Sequence, residues 1–153
     1  YNQFACMSRF SPFLPLIGGG KTRFQPVYVA DVAEAFANAL DNQETSGQIY
    51  ELGGPDILTF RQILDSIRTI TYRSPALLPI PSAIAKAGAF FAEFLPHPLL
   101  TRDQVELLRY DNIVSHHAHN FAQLGITPQS AAVIVPGYLA RYVKEHAAPR
   151  TSA

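Results

Sequence analysis

The chain carries a single cysteine, Cys6, among its 153 residues. An internal disulfide is therefore excluded, and the covalent framework of small secreted domains is absent. A reduced, intracellular setting is the expectation. There is no excess of charge of either sign: 12 Lys and Arg stand against 12 Asp and Glu. The basic footprint of a nucleic-acid binder is missing, and no nucleic-acid partner is expected. No apolar run reaches the roughly 18–20 residues of a membrane span, and no secretory signal pattern occurs. The glycine-rich loops G-x-G-x-x-G and G-x-x-G-x-x-G are absent too. Those loops seat a pyrophosphate on a helix N-terminus, where N–H groups and the helix dipole stabilise negative charge. No G-x-S-x-G marks a nucleophilic serine.

What is present is a folding chain. Hydrophobic residues make up 48% and charged residues 16%, a balance that disfavours disorder over most of the length. The size suits one ordinary domain. Asn2–Phe10 reads as a helix ended by Ser11-Pro12, and Phe13–Ile17 as a short strand. Gly18–Gly20 reads as a hairpin turn into a second strand, Phe24–Val29, with Pro26 at an edge or entry position. Asp31 and Glu34 have capping-box spacing. Val32, Ala35, Phe36, Ala39 and Leu40 then form an apolar helical face. A strand over Gln48–Leu52, closed by Gly53-Gly54-Pro55, would complete a strand–helix–strand crossover of an α/β sheet.

Thr59 and Gln62 form a second capping box, before a helix that buries Phe60, Ile63, Leu64 and Ile67. Pro75–Pro81 is an extended piece. Ser82–Leu95 is an unusually apolar helix ended by His97-Pro98, with Lys86 and Glu93 its only charges. Thr101 and Gln104 open a helix through about Tyr110, with Arg102 and Glu106 as an i,i+4 pair. Asp111–Asn120 reads as a polar loop. Thr127-Pro128 starts a last helix by the N1-proline rule, and Pro136-Gly137 should kink or split it. Tyr138, Leu139, Tyr142 and Val143 form the next apolar face. Pro149–Ala153 reads as a frayed tail.

The run Val27-Tyr28-Val29-Ala30-Asp31-Val32-Ala33 resembles the strand-to-helix junction of extended short-chain dehydrogenases/reductases, the superfamily of the NAD-dependent epimerases/dehydratases. Phe24-Gln25-Pro26 before it, Tyr50–Pro55 after it and Leu100–Val114 near the end narrow the resemblance. Together they resemble the atypical subgroup containing the nucleotide-binding accessory subunit of respiratory complex I and its bacterial relatives. The resemblance covers most of residues 1–140, and only the C-terminal portion of such a protein. It implies an α/β fold: residues 1–58 completing a Rossmann-type sheet, 59–147 forming a mostly helical smaller lobe, and 148–153 a flexible tail. A start at Tyr1 rather than Met fits a fragment or a processed product.

The resemblance further implies that the intact parent binds NADP or NAD, mainly through an N-terminal half that lies before Tyr1. This chain alone would then bind the dinucleotide poorly or not at all. The superfamily moves a proton with a Tyr-x-x-x-Lys pair, in which lysine lowers the tyrosine pKa. No tyrosine here is followed four residues later by lysine. An arginine that binds diphosphate in sugar-nucleotide epimerases falls at Phe24, with Arg23 one place off. Three readings stay open: an accessory or assembly protein of a complex I-like system, a fragment of an active NAD(P)-dependent oxidoreductase or epimerase, and a stand-alone interaction module. The implied partners are the missing N-terminal half and a membrane-associated respiratory complex or a second copy. The implied location is cytoplasmic, or peripheral on the inner side of an energy-coupling membrane.

Among candidate site residues, Asp31 reads as a structural cap beside the cofactor cleft rather than an acid. Lys21 and Arg23 are candidates to attract an anionic substrate at a cleft mouth. Gly18–Lys21 lacks the G-x-x-x-x-G-K-[ST] spacing of a phosphate loop. His116, His117 and His119 lack a completing cysteine, so a solvated loop is the better reading than a metal site. Cys6 reads as a buried, inert thiol. No catalytic, cofactor-binding or metal residue is assigned. The Ser82–Leu95 helix reads as a core helix; exposure of Phe90, Phe91 and Phe94 would instead favour an interaction surface.

Overall fold

The computed structural model describes residues 1–92 and 101–144. Its architecture is α/β with a small parallel sheet, the C-terminal part of a Rossmann-type arrangement. Six α-helices are described: α1 Asn2–Phe10, α2 Val29–Asp41, α3 Phe60–Thr71, α4 Ser82–Ala92, α5 Arg102–Leu107 and α6 Ala131–Leu139. The strands are β1 Phe13–Ile17, β2 Arg23–Phe24, β3 Leu58–Thr59 and β4 Ala76–Ile80. The expected continuation of α4 through Leu95, with Phe94 and His97-Pro98, lies outside the described residues, as does the tail.

Local signals place several elements where the sequence does. α1 and β1 have the expected bounds. Thr59 caps α3, accepting from Gln62 N–H while the Gln62 side chain accepts from Thr59 N–H at 2.8 Å. Thr101 and Gln104 do the same for α5. The buried face of α3 is Phe60, Ile63, Leu64 and Ile67, joined by Thr71. A face at i, i+3, i+4 and i+7 is what a 3.6-residue period presents to a core.

Strand partnerships depart from expectation. β1 pairs in parallel with β4, Phe13 opposite Ala76 through Ile17 opposite Ile80. β2 pairs antiparallel with β3 in a second two-stranded sheet. There is no hairpin between β1 and β2. Gly18, Gly19 and Gly20 all have positive φ, at 60°, 72° and 68°, a conformation open to glycine at little steric cost. The turn carries the chain out of the first sheet and into the second. A Cβ on Gly20 would lie 2.4 Å from the Leu16 side chain. The crossover unit joins β1 to β4 through α3. The expected strand Phe24–Val29 ends at Phe24, because Pro26 offers no N–H and the Gln25 side chain takes up the surrounding polar groups. Gln48–Leu52 contributes one isolated bridge, Tyr50 to His119.

The largest core cluster gathers Ala5, Leu14 and Leu16 with Phe60, Ile63, Leu64 and Ile67 and with Val135 and Leu139. It draws on both sides of residue 58, as does the β1–β4 ladder. A second cluster sets Ala85 and Ala89 of α4 against Ile17 and Val105. Between residues 83 and 90, the rest of α4 outside that stripe is exposed, with Ile84 at 64% and Phe90 at 43%. The Arg102 guanidinium lies 5.1 Å from the Phe90 ring centre, and Glu106 pairs with Lys86 and Arg109. A third cluster packs Ala35 of α2 against Phe121, Leu124 and Ile126. α6 begins at Ala131, with Ser130 rather than Thr127 as its cap, and runs through Pro136 without splitting.

Candidate functional site

The segments Arg23–Asp31, Glu51–Asp56 and Asp111–Ser115 meet in space through side-chain to backbone bonds. Arg23 N–H donates to Asp111 Oδ1 at 2.7 Å, and the guanidinium reaches Oδ2 at 2.9 and 2.8 Å. Gln25 N–H donates to Asn112 O, and Asn112 N–H donates back to Arg23 O. The Gln25 amide is a clamp: its Nε2 donates to Gly54 O at 2.8 Å and its Oε1 accepts from Val114 N–H at 2.9 Å. Glu51 accepts from Ser115 N–H at 2.8 Å. A short segment without its own ladder satisfies its polar groups this way.

Asp31 is not a helix cap. Tyr28 occupies the N-cap of α2, and Asp31 lies in the first turn. It is 4% exposed, and its Oδ2 accepts from Gln129 N–H at 2.7 Å. The carboxylate sits at the positive end of the α2 dipole and ties the approach of α6 to the start of α2. Capping-box spacing alone does not separate N-cap from third position. The helix starts three residues earlier than the spacing implies, at Val29 after the Tyr28 cap.

Beside this junction lies a cleft of about 330 Å³. The loop Pro26–Val29 forms one wall, and Ile134, Val135 and Tyr138 of α6 form the other, with Tyr1 and Asn2 at one end. Burial raises the pKa of the Tyr138 phenol. Burial, and then the neighbouring Tyr138, raise that of Tyr1. Both stay protonated at neutral pH and offer O–H groups. No charged side chain lines the cleft. The arrangement suits hydrogen bonding to a neutral group; it contains no phenolate base.

Lys21 and Arg23 lie outside the cleft lining. Lys21 is exposed beyond the glycine turn, and Arg23 is engaged by Asp111. Its separation from Asp111 by 88 positions hid the pair in the sequence. His116, His117 and His119 are exposed. The His119 ring is 5.4 Å from that of Tyr50. Among the described residues no group of three or more His, Cys, Asp or Glu is arranged to hold a metal. Cys6 is exposed rather than buried, because α1 turns Ala5 and Ser8 inward.

The Arg23 backbone N–H and then its guanidinium hold the Asp111 carboxyl below its ordinary 3.8. A carboxyl with a lowered folded pKa stabilises the fold above its unfolded value. That contribution disappears as pH falls through the folded value. Asp111→Asn should therefore lower the melting temperature at pH 7, and the gap from the parent chain should narrow below pH 3.8. Thermal melts of both proteins between pH 7 and pH 3 check this. A gap that does not change with pH would contradict it.

No protein-family model matches the chain. The crystal structure of gox2253 shares the fold, with a TM-score of 0.55 at 22% identity over 91% of this chain and 41% of that one. The chain is 39% identical over 142 residues to the mitochondrial NADH dehydrogenase (ubiquinone) 1 alpha subcomplex subunit 9 of Arabidopsis thaliana, covering 86% of this chain and 35% of that protein. It is 28% identical over 125 residues to the mitochondrial NADH-ubiquinone oxidoreductase 40 kDa subunit of Neurospora crassa, covering 81% and 33%. It spans about a third of the length of these curated relatives. Through these relatives the chain belongs to the extended short-chain dehydrogenases/reductases. Within it, the chain is a homologue of the complex I subunits of the subunit 9 type.

Proposed function

We propose that the chain is the C-terminal portion of an NAD(P)-binding, complex I accessory-subunit-like protein. Its dinucleotide, NADP or NAD, is held mainly by an N-terminal half outside these residues, and its place is peripheral on the inner side of an energy-coupling membrane. The identity to subunit 9 over most of the chain carries this reading. The lack of any glycine-rich phosphate loop supports the division of labour. So does α2, whose residues Val29, Ala33, Phe36 and Leu40 form an exposed stripe at helical spacing. Leu40 is 85% exposed and Phe36 66%. A stripe of that kind suits burial by the remainder of a larger sheet domain. Among the described residues no helix is long and apolar enough to cross a membrane.

Titration calorimetry of the 153-residue chain with NADPH and with NADH tests the proposal. No saturable heat is expected with either. Tight binding would place the dinucleotide site within these residues and remove the need for an N-terminal half.

A further inference from the structure

A second concavity, which shares Tyr1 with the cleft, lies between α1, β2, α3 and α5. Its volume is about 240 Å³, and its walls are Phe4, Phe24, Phe60, Ile63, Leu107 and Leu108. We propose that it binds an uncharged aromatic small molecule.

The walls come from four elements that the fold fixes independently. Phe60 is the first residue of α3, held in place by the Thr59 cap. Phe4 and Phe24 meet its ring edge-on, at 5.3 Å and 63° and at 6.4 Å and 61°. β2 alternates its side chains, so Phe24 turns into the concavity while Arg23 turns to Asp111. Thr22 Oγ1 donates to Leu108 O, which ties the end of α5 to the start of β2. Inclined phenyl walls present faces and edges to an inserted ring, the geometry that aromatic pairs prefer.

No Lys, Arg, Asp or Glu is among the lining residues, and burial lowers the pKa of the α-amino group of Tyr1, which also lines the concavity, in favour of its neutral form. An anionic or cationic group would lose its water there without gaining a partner, so charge is selected against. The polar side chains of the lining are those of Gln3, Gln104 and Tyr1. The Gln104 side chain accepts from Thr101 N–H at 3.3 Å, which orients its amide. An amide rim over an apolar floor suits a ring bearing a neutral carbonyl, hydroxyl or amine. Leu107 stands at the mouth, 68% exposed, and a bound ring would cover it. The site depends on this chain's residues alone, whatever binds dinucleotide.

The test is fluorescence titration of the 153-residue chain with N-phenyl-1-naphthylamine, a neutral aromatic probe. Saturable binding at one site per chain is expected. The anionic probe 8-anilinonaphthalene-1-sulfonate should bind this site at least about tenfold more weakly. Leu107→Asp, at an exposed position that folding does not require, should weaken the neutral probe by about tenfold or more. Phe24→Arg should do so as well. Phe36→Asp, on the apolar stripe of α2, should leave affinity within about twofold. Unchanged affinity in Leu107→Asp, loss of binding in Phe36→Asp, or a preference for the anionic probe would each overturn the proposal.

Discussion

Gly54→Ala is expected to destabilise the chain by about 3 kcal/mol or more, the upper range for overpacking a tight contact. A Cβ at residue 54 would lie 2.0 Å from the Pro26 carbonyl oxygen and 3.1 Å from its carbon. Both atoms are backbone, so no rotamer change relieves the clash. Nor can the loop move freely. The Gln25 amide holds Gly54 O on one side and Val114 N–H on the other, and Gly53 lies against the same amide. Folding free energies are on the order of 5–15 kcal/mol, so the loss is a large share of the total. Gly88→Ala is the contrasting case. Nothing lies within 4 Å of a Cβ there, and alanine inside a helix gains roughly 0.5–1 kcal/mol over glycine. Urea unfolding followed by circular dichroism should move the two midpoints in opposite directions. An unshifted midpoint for Gly54→Ala would mean that the two segments do not approach this closely.

Leu14→Ala should cost about 2–5 kcal/mol. Leu14 is fully buried in β1 and belongs to the cluster that contains Leu64 and Ile67 of α3 and Leu139 of α6. The informative part is the shape of the transition. With β1 paired along β4 and the core shared, residues before and after position 58 should unfold together. Tyrosine fluorescence and far-ultraviolet circular dichroism should then shift by the same amount, as two-state behaviour requires. A second transition left unmoved by the substitution would show that residues 59–147 fold on their own.

The three capping-box spacings read from the sequence show how far local signals reach. Thr59-x-x-Gln62 and Thr101-x-x-Gln104 are caps because helices begin beside them. Asp31-x-x-Glu34 has the same spacing, but its carboxylate bonds to Gln129, 98 positions away. Asn120-x-x-Gln123 is a capping box that begins at the last residue of the stretch read as a polar loop, and the turn it caps is a single 3₁₀ turn. The apolar face of α2 is similar. Periodicity identified Ala35, Phe36, Ala39 and Leu40 as one face, yet Ala35 is 2% exposed and Leu40 85%. Which half is covered depends on where the 121–126 segment lands.

The sequence by itself determined α1, β1, the buried face of α3, the caps of α3 and α5 and the family. Each rests on neighbours within a few residues, or on motifs whose residue types are specific. Tertiary structure alone decided that β1 pairs with β4 and β2 with β3, that Arg23 meets Asp111, and that Asp31 holds Gln129. Backbone hydrogen bonds are nearly indifferent to residue type, so partner strands leave little trace in composition. A charged side chain does not reveal whether water or a carboxylate 88 residues away will satisfy it. Only closure of the chain around its core brings such groups together.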